Sequence, residues 1–281
     1  MRIMSEIVDP EGWLAPLPRR IDWSMNDYTH PKWLKVPPFD DNEEGSDVLN
    51  PVENVSSALV DAVVDCMARF ALGVSVENAF SMPLWYFRAH KGHSETSDLM
   101  NAIKGLDDRS IINAVKLFRF ADYDDRFGIG GLPLSEGIEP DEATIQNVRI
   151  MVKRSLRFFK PRGPEWWNGK MPEGFTLARE SFVPVRIPAG DAMLPDTCWD
   201  LKASESCPTT YDVLRLIMYR FIGICSDRAW LFRDIPYLGV YNPRLNEAYR
   251  INVGDISEDM IAEIEGCVIY HALCRLRSYP I

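Results

Sequence analysis

The spacing of apolar residues changes character near residue 135, and that change limits this chain to a mixed helix-and-sheet architecture. Ahead of it, Val55, Leu59, Val63 and Met67 recur every fourth position. Further helical patterns run over 76–89, 97–105 and 109–121, the last with Ile111, Ile112, Val115, Leu117 and Phe118 on its apolar side. Behind it, a helix is predicted from Pro140, a favoured first-turn residue, to about Phe159. Strand-like stretches follow at 175–179, 182–187 and 197–204, then a strongly apolar helix over 210–225. Two more strands, 237–241 and 247–253, flank Asn-Pro-Arg-Leu-Asn, a sequence suited to a hairpin connection. Ser257 can cap a last helix carrying Met260, Ile261, Ile264, Val268 and Leu273. The order predicts an α/β core (136–281) behind an all-helical region (51–135). Residues 1–50 form an arm without sustained period, whose acidic run FDDNEEGSD (39–47) suits a solvated linker.

With 46% apolar residues, the 281-residue chain can bury a full core. Its longest apolar stretch, Val55 to Val74, is broken by Asp61, Asp65 and Arg69, so no membrane span is expected. The opening MRIMSEIVDPEGW has acids where a signal peptide would be apolar, and the expectation is a cytoplasmic protein. Six cysteines without a CxxC pair read as reduced, mostly buried thiols, and His30, His90, His93 and His271 lack metal-ligand spacing. Neither G-x-S-x-G nor a phosphate-loop motif occurs.

The net charge of −10 is unevenly distributed. Residues 1–139 hold 23 acids against 13 Lys and Arg, whereas residues 140–281 hold 18 of each. Within the second part, Arg149, Lys153, Arg154, Arg157, Lys160 and Arg162 follow one another with no intervening acid. Arg149, Lys153, Arg157 and Lys160 share one side of the predicted helix, a pattern that suits either a solvated face or a polyanionic ligand. Trp166-Trp167, just beyond, reads as a wedge of a loop against the core, with base stacking as the other use of such a pair.

The segment IPAGDAMLPDTCWDLKAS (187–204) carries the chemistry. Alternation sends Trp199, Leu201 and Ala203 to one side of a strand and Cys198, Asp200, Lys202 and Ser204 to the other. Asp200 and Lys202 thus emerge together, with backbone positions about 6.6 Å apart. A hairpin through Leu194-Pro195-Asp196-Thr197 brings Asp191 beside Asp200. Two gathered carboxylates repel unless a cation lies between them. Asp-x-Lys alone is a weak signal, since spacing also fits a solvated pair on an exposed face. A Gly-Asp strand, a tight turn and a Trp-Asp-Leu-Lys strand behind a helix is a rarer combination.

On these residues, about 140–253 of the chain resembles the PD-(D/E)XK nuclease superfamily, in particular its RecB-like branch. The resemblance implies a restriction-endonuclease-like αβββαβ core and a metal-dependent nuclease hydrolysing nucleic acid, with DNA rather than RNA the expected substrate. It implies Mg²⁺ or Mn²⁺ held by Asp191, Asp200 and an acid of the opening helix, Glu142 or its neighbour Asp141, with Lys202 positioning the attacking water. Arg215 and Tyr219 correspond to the branch's Gln-x-x-x-Tyr, with Arg in place of Gln. Arg cannot accept the hydrogen bonds that Gln can, but it binds phosphate well. Arg149, Lys153, Arg157, Arg215 and Tyr219 are the expected substrate contacts. The acidic region 1–135 is expected to meet a protein partner or a second copy of the chain. The alternative expectation is a nuclease-type fold without catalysis, serving as a binding or regulatory module.

Overall fold

The computed structural model describes residues 32–36, 48–80, 93–118, 139–161, 191–193, 196–224 and 229–266. Along the chain they form strand β1 (Leu34–Val36), helices α1 (Ser57–Ala71), α2 (Val76–Ala79), α3 (His93–Asn101), α4 (Asp108–Phe118) and α5 (Glu142–Phe159), and strands β2 (Asp191–Met193) and β3 (Thr197–Leu201). Helices α6 (Thr210–Ile224) and α7 (Ala229–Arg233), strands β4 (Tyr237–Asn242) and β5 (Glu247–Asn252), and a helical stretch over 258–266 follow. The protein is therefore a mixed α/β structure. The strands expected at 175–179 and 182–187 lie outside the described residues, as does the Trp166-Trp167 pair.

The five described strands lie in the order β1-β5-β4-β3-β2. β3 and β4 are parallel, joined by a crossover through α6 and α7, and the other neighbours are antiparallel. A parallel pair needs such a crossover, whereas β4 and β5 are joined by the short 243–246 turn. There the Asn242 side chain accepts from the backbone N–H groups of Arg244 (3.0 Å) and Leu245 (3.2 Å). Asn246 adopts the left-handed conformation (φ 54°), which asparagine tolerates better than most residues.

Helices cover both faces of the sheet. On one face, Trp199, Leu201, Ala203, Tyr241 and Ala248 merge with the apolar sides of α1, α4 and α5 into one core. The described helices of 51–135 therefore share one core with the sheet. Phe158 of α5 stacks on Tyr241 (centroids 4.0 Å apart, planes 7° apart) and meets Trp199 edge-on at 4.9 Å. Gly239 lies opposite Trp199 in the β3–β4 register, and a Cβ there would come within 2.5 Å of the indole. Only a residue without a side chain lets that ring lie flat across the neighbouring strand.

Several boundaries differ from expectation for identifiable reasons. The arm, read as irregular, supplies β1 to the edge of β5, with Lys35 paired to Glu247. Three residues are too few for a period-two pattern to register. α3 starts at His93 and ends at Asn101, about four residues ahead of the 97–105 expectation. The third strand stops at Leu201, short of residue 204. Lys202 N–H still reaches the Tyr241 carbonyl (3.0 Å), but the next donor, Ala203 N–H, is taken by the Asp61 carboxylate of α1.

Candidate functional site

The β2–β3 hairpin sets Asp191 directly opposite Asp200, with Ala192 opposite Trp199 and Met193 opposite Cys198. Directly opposed residues of an antiparallel pair share a face of the sheet, so positions 191 and 200 belong to the same face. Asp200 is 5% exposed and faces α6, whereas its neighbours Trp199 and Leu201 enter the core on the other side. The solvated-face arrangement is therefore not the one adopted, because α6 covers this side of β3.

Two ion pairs join β3 to α6. The Arg215 guanidinium donates to the Asp200 carboxylate through Nη2. Lys202 Nζ donates to Asp212 Oδ1 at 2.5 Å. Asp212 is wholly buried, and its other oxygen accepts from Thr209 N–H (2.7 Å) and from the Thr209 hydroxyl (2.9 Å) at the start of α6. The lysine is thereby fixed to the beginning of the helix, and its ammonium head keeps one carboxylate partner. Tyr219 follows Arg215 by one helical turn in α6.

A third element enters from the helical layer. Asp61 of α1 accepts the Ala203 N–H, and Asp65, one turn on, pairs with Arg69. Burial lifts the Asp61 carboxyl from 3.8 to about 6, against the lowering pull of the Ala203 N–H, Arg215 and Lys202. Burial also raises Asp65, against the pull of Arg69 and Arg215. Sequence reasoning met Asp61 and Asp65 only as breaks in an apolar stretch. Two acids one turn apart on an otherwise apolar helical face were the available signal. Beside them, burial pushes the Cys66 thiol up to about 12, which makes it unreactive. Cys198 is buried too, whereas Cys207 is exposed.

Asp61 carries a pH dependence of known sign. The folded protein binds this proton more tightly than the unfolded chain does. The contribution of Asp61 to stability therefore falls as pH rises from about 4 to about 6 and is level above that window. Two pKa units correspond to about 3 kcal/mol, but the side chain is only half-buried, so about 1–2 kcal/mol is expected. Asp61→Asn, which keeps an acceptor for Ala203 N–H, should gain that amount over the wild type between pH 4 and 6. Urea unfolding at pH 4, 5, 6 and 7.5 measures it; a difference independent of pH would exclude Asp61 as its source.

The helix acid is not brought to this place. Glu142 sits exposed in the first turn of α5. It precedes Phe158, the residue packed on β3, by about 24 Å of helix at 1.5 Å per residue. Ile145 and Val152 of the same helix are buried, whereas Glu142 is exposed at its start, one turn ahead of Ile145. Its competitor Asp141 is the N-cap, accepting Thr144 N–H at 2.8 Å, and that bonding holds its carboxyl below the usual range.

The basic stripe also divides. Arg149 pairs with Asp108 at the start of α4, and it donates to the Leu106 carbonyl just before that helix (2.9 Å) and to Gln146 of its own helix (2.6 Å). Arg154 donates to the carbonyls of Pro243 and Arg244. Lys153, Arg157 and Lys160 remain exposed. α5 packs on the Trp199 face, so these cations and Asp200 lie on opposite sides of the sheet.

The site so defined is a charged seam between a buried strand and its crossover helix in a mixed α/β protein. Comparison with protein-family models, with curated proteins and with solved structures gives no match. Among the described residues, no group of three His, Cys, Asp or Glu is placed to hold a metal ion, and no helix is long and apolar enough to cross a membrane. The donor chemistry of the facing positions 191 and 200 nonetheless suits a hard divalent cation. Mg²⁺ is commonly held by one or two carboxylates, with waters and substrate phosphates completing its shell.

Proposed function

We propose that this chain is a divalent-cation-dependent phosphodiesterase acting on nucleic acid, with DNA its expected substrate, in the cytoplasm. Its core is of the restriction-endonuclease-like kind, and region 1–135 is available to a protein partner or a second copy. The observation that carries this reading is the register that opposes Asp191 to Asp200 on adjacent strands, with Lys202 two residues beyond Asp200, just past the end of β3. The passage from that hairpin through a crossover helix into a parallel strand accords with the resemblance.

In this reading Asp191 and Asp200 hold Mg²⁺ or Mn²⁺. The bound ion supplies a water activated at neutral pH and a charge to offset that of the phosphoryl oxygens. Lys202 contributes a fixed ammonium. Because Asp212 already accepts from it, it acts as a donor toward developing negative charge and does not abstract a proton. Arg215, on the neighbouring helix, is long enough to meet a phosphate.

The test is cleavage of plasmid, linear duplex and single-stranded DNA in Mg²⁺ or Mn²⁺. Asp200→Ala and Lys202→Ala should each lower the rate about a hundredfold or more. Undiminished cleavage by either variant removes that residue from the reaction.

One observation favours a second reading. Asp200 and Lys202 are each satisfied by an ion pair within the protein. A chain that keeps this core for binding or regulation alone would show the same pairs, with neither cleavage nor cation uptake.

A further inference from the structure

We propose that Arg215 is a resident counter-cation that competes with divalent metal for Asp200, making the site latched at rest. This rests on the reading of Asp200 as a metal-holding residue.

A carboxylate as buried as Asp200 is costly unless a positive charge offsets it. Two cations belong to this seam. Lys202 is committed to Asp212, itself anchored at the start of α6. Arg215 is therefore the group in contact with Asp200. Asp61 and Asp65 also sense its charge, so one guanidinium serves acids from both the strand and α1. Any cation arriving at Asp200 meets a position already neutralised.

The form of the contact makes it displaceable. Arginine binds carboxylates most strongly as a two-pronged fork. Here Nη2 makes the bond, and the buried Nε has no hydrogen-bond partner among the described residues. A buried donor left without a partner is a destabilising feature of the resting state, and moving the guanidinium onto a phosphate would relieve it. If the unlatched state is about a tenth of the population, the apparent metal affinity falls about tenfold below that of the open site.

Titration calorimetry of Mn²⁺ alone into the full chain tests this, with circular dichroism confirming the fold of each variant. Arg215→Gln should bind Mn²⁺ about tenfold more tightly than the wild type, and adding Asp200→Asn should abolish the gain. Arg215→Lys keeps a charge to hold the fold but has only a single ammonium head, and should bind about threefold more tightly. Binding by Arg215→Gln no tighter than by the wild type overturns the latch. Should that variant not fold, equal affinity in Arg215→Lys overturns it. Cleavage assays separate this outcome from the functional reading. Tighter Mn²⁺ binding by Arg215→Gln without cleavage by the wild type upholds the latch and refutes the hydrolase. Wild-type cleavage with unchanged affinity in the variants does the reverse.

Discussion

Arg244→Ala should lower the unfolding free energy by about 3–5 kcal/mol, the usual cost of removing one partner from a buried ion pair. Arg244 forks onto Glu53 through two bonds of 3.0 Å, with side-chain exposures of only 12% and 9%. Its Nε also donates to the Ala203 carbonyl at 3.0 Å. Glu53 accepts in addition from Asn147 (2.9 Å), and Asn147 bonds Asn50 in turn. The turn between β4 and β5, the end of β3, the start of α5 and the segment leading into α1 are thus tied at one point. Truncation leaves the Glu53 carboxylate buried with an amide as its remaining partner and strips the Ala203 carbonyl of this donor. Urea unfolding with a constant m-value reports the loss. Lys35→Ala serves as the contrast: its partner is Glu247, but the lysine is 56% exposed, and such surface pairs contribute about 1 kcal/mol or less. Equal effects from the two substitutions would show that the Arg244 cluster is not the tie it is argued to be.

Phe158→Ala is expected to cost a similar amount, about 3–5 kcal/mol, by a different cause. The ring is 1% exposed and touches Tyr241, Trp199 and Phe159 at once. Removing it takes away apolar contact and leaves a cavity between α5 and the sheet. The aromatic walls cannot close over that space, because Trp199 is already pressed onto the backbone of Gly239. Thermal or urea unfolding measures the loss. A change below about 1 kcal/mol would mean that α5 slides to fill the space, and that Phe158 does not set the spacing of helix and sheet.

These two contacts show where sequence reasoning reached and where it stopped. The apolar periods of α1, α4 and α5 were legible because each helix buries one continuous side, and α6 was legible from its apolar content; both are local properties. The faces of β3 were legible for the same reason: Trp199 and Leu201 alternate with Asp200. The Asn-Pro-Arg-Leu-Asn turn could be read from its residues, because Asn242 bonds the backbone two and three positions on. β1 is three residues long and owes its extended form to the edge of β5, which lies more than two hundred residues away in sequence. α7, of five residues, was not foreseen.

The opposition of Asp191 and Asp200 was implied by a short turn, because few residues leave a hairpin few registers. Which charges answer those carboxylates was not implied. Arg215 and Asp212 reach β3 because α6 folds back across it, and Asp61 reaches Ala203 because α1 packs beside the end of that strand. Glu142 showed the same limit in reverse. Its rotation about α5 follows from a period of 3.6 residues, but its distance from the sheet depends on where along the helix Phe158 makes contact.

By itself, the sequence determined the longer helices, the alternating strand and the acidic hairpin, since each depends on residues within a few positions of one another. It overran α2, which ends at Ala79 within the expected 76–89, and missed α7. Tertiary structure decided the partners of Asp200 and Lys202, the placing of the exposed cations on the far side of the sheet, and the arrival of Asp61 in the seam. Charge acts through space and burial, and neither is set by neighbours in the chain.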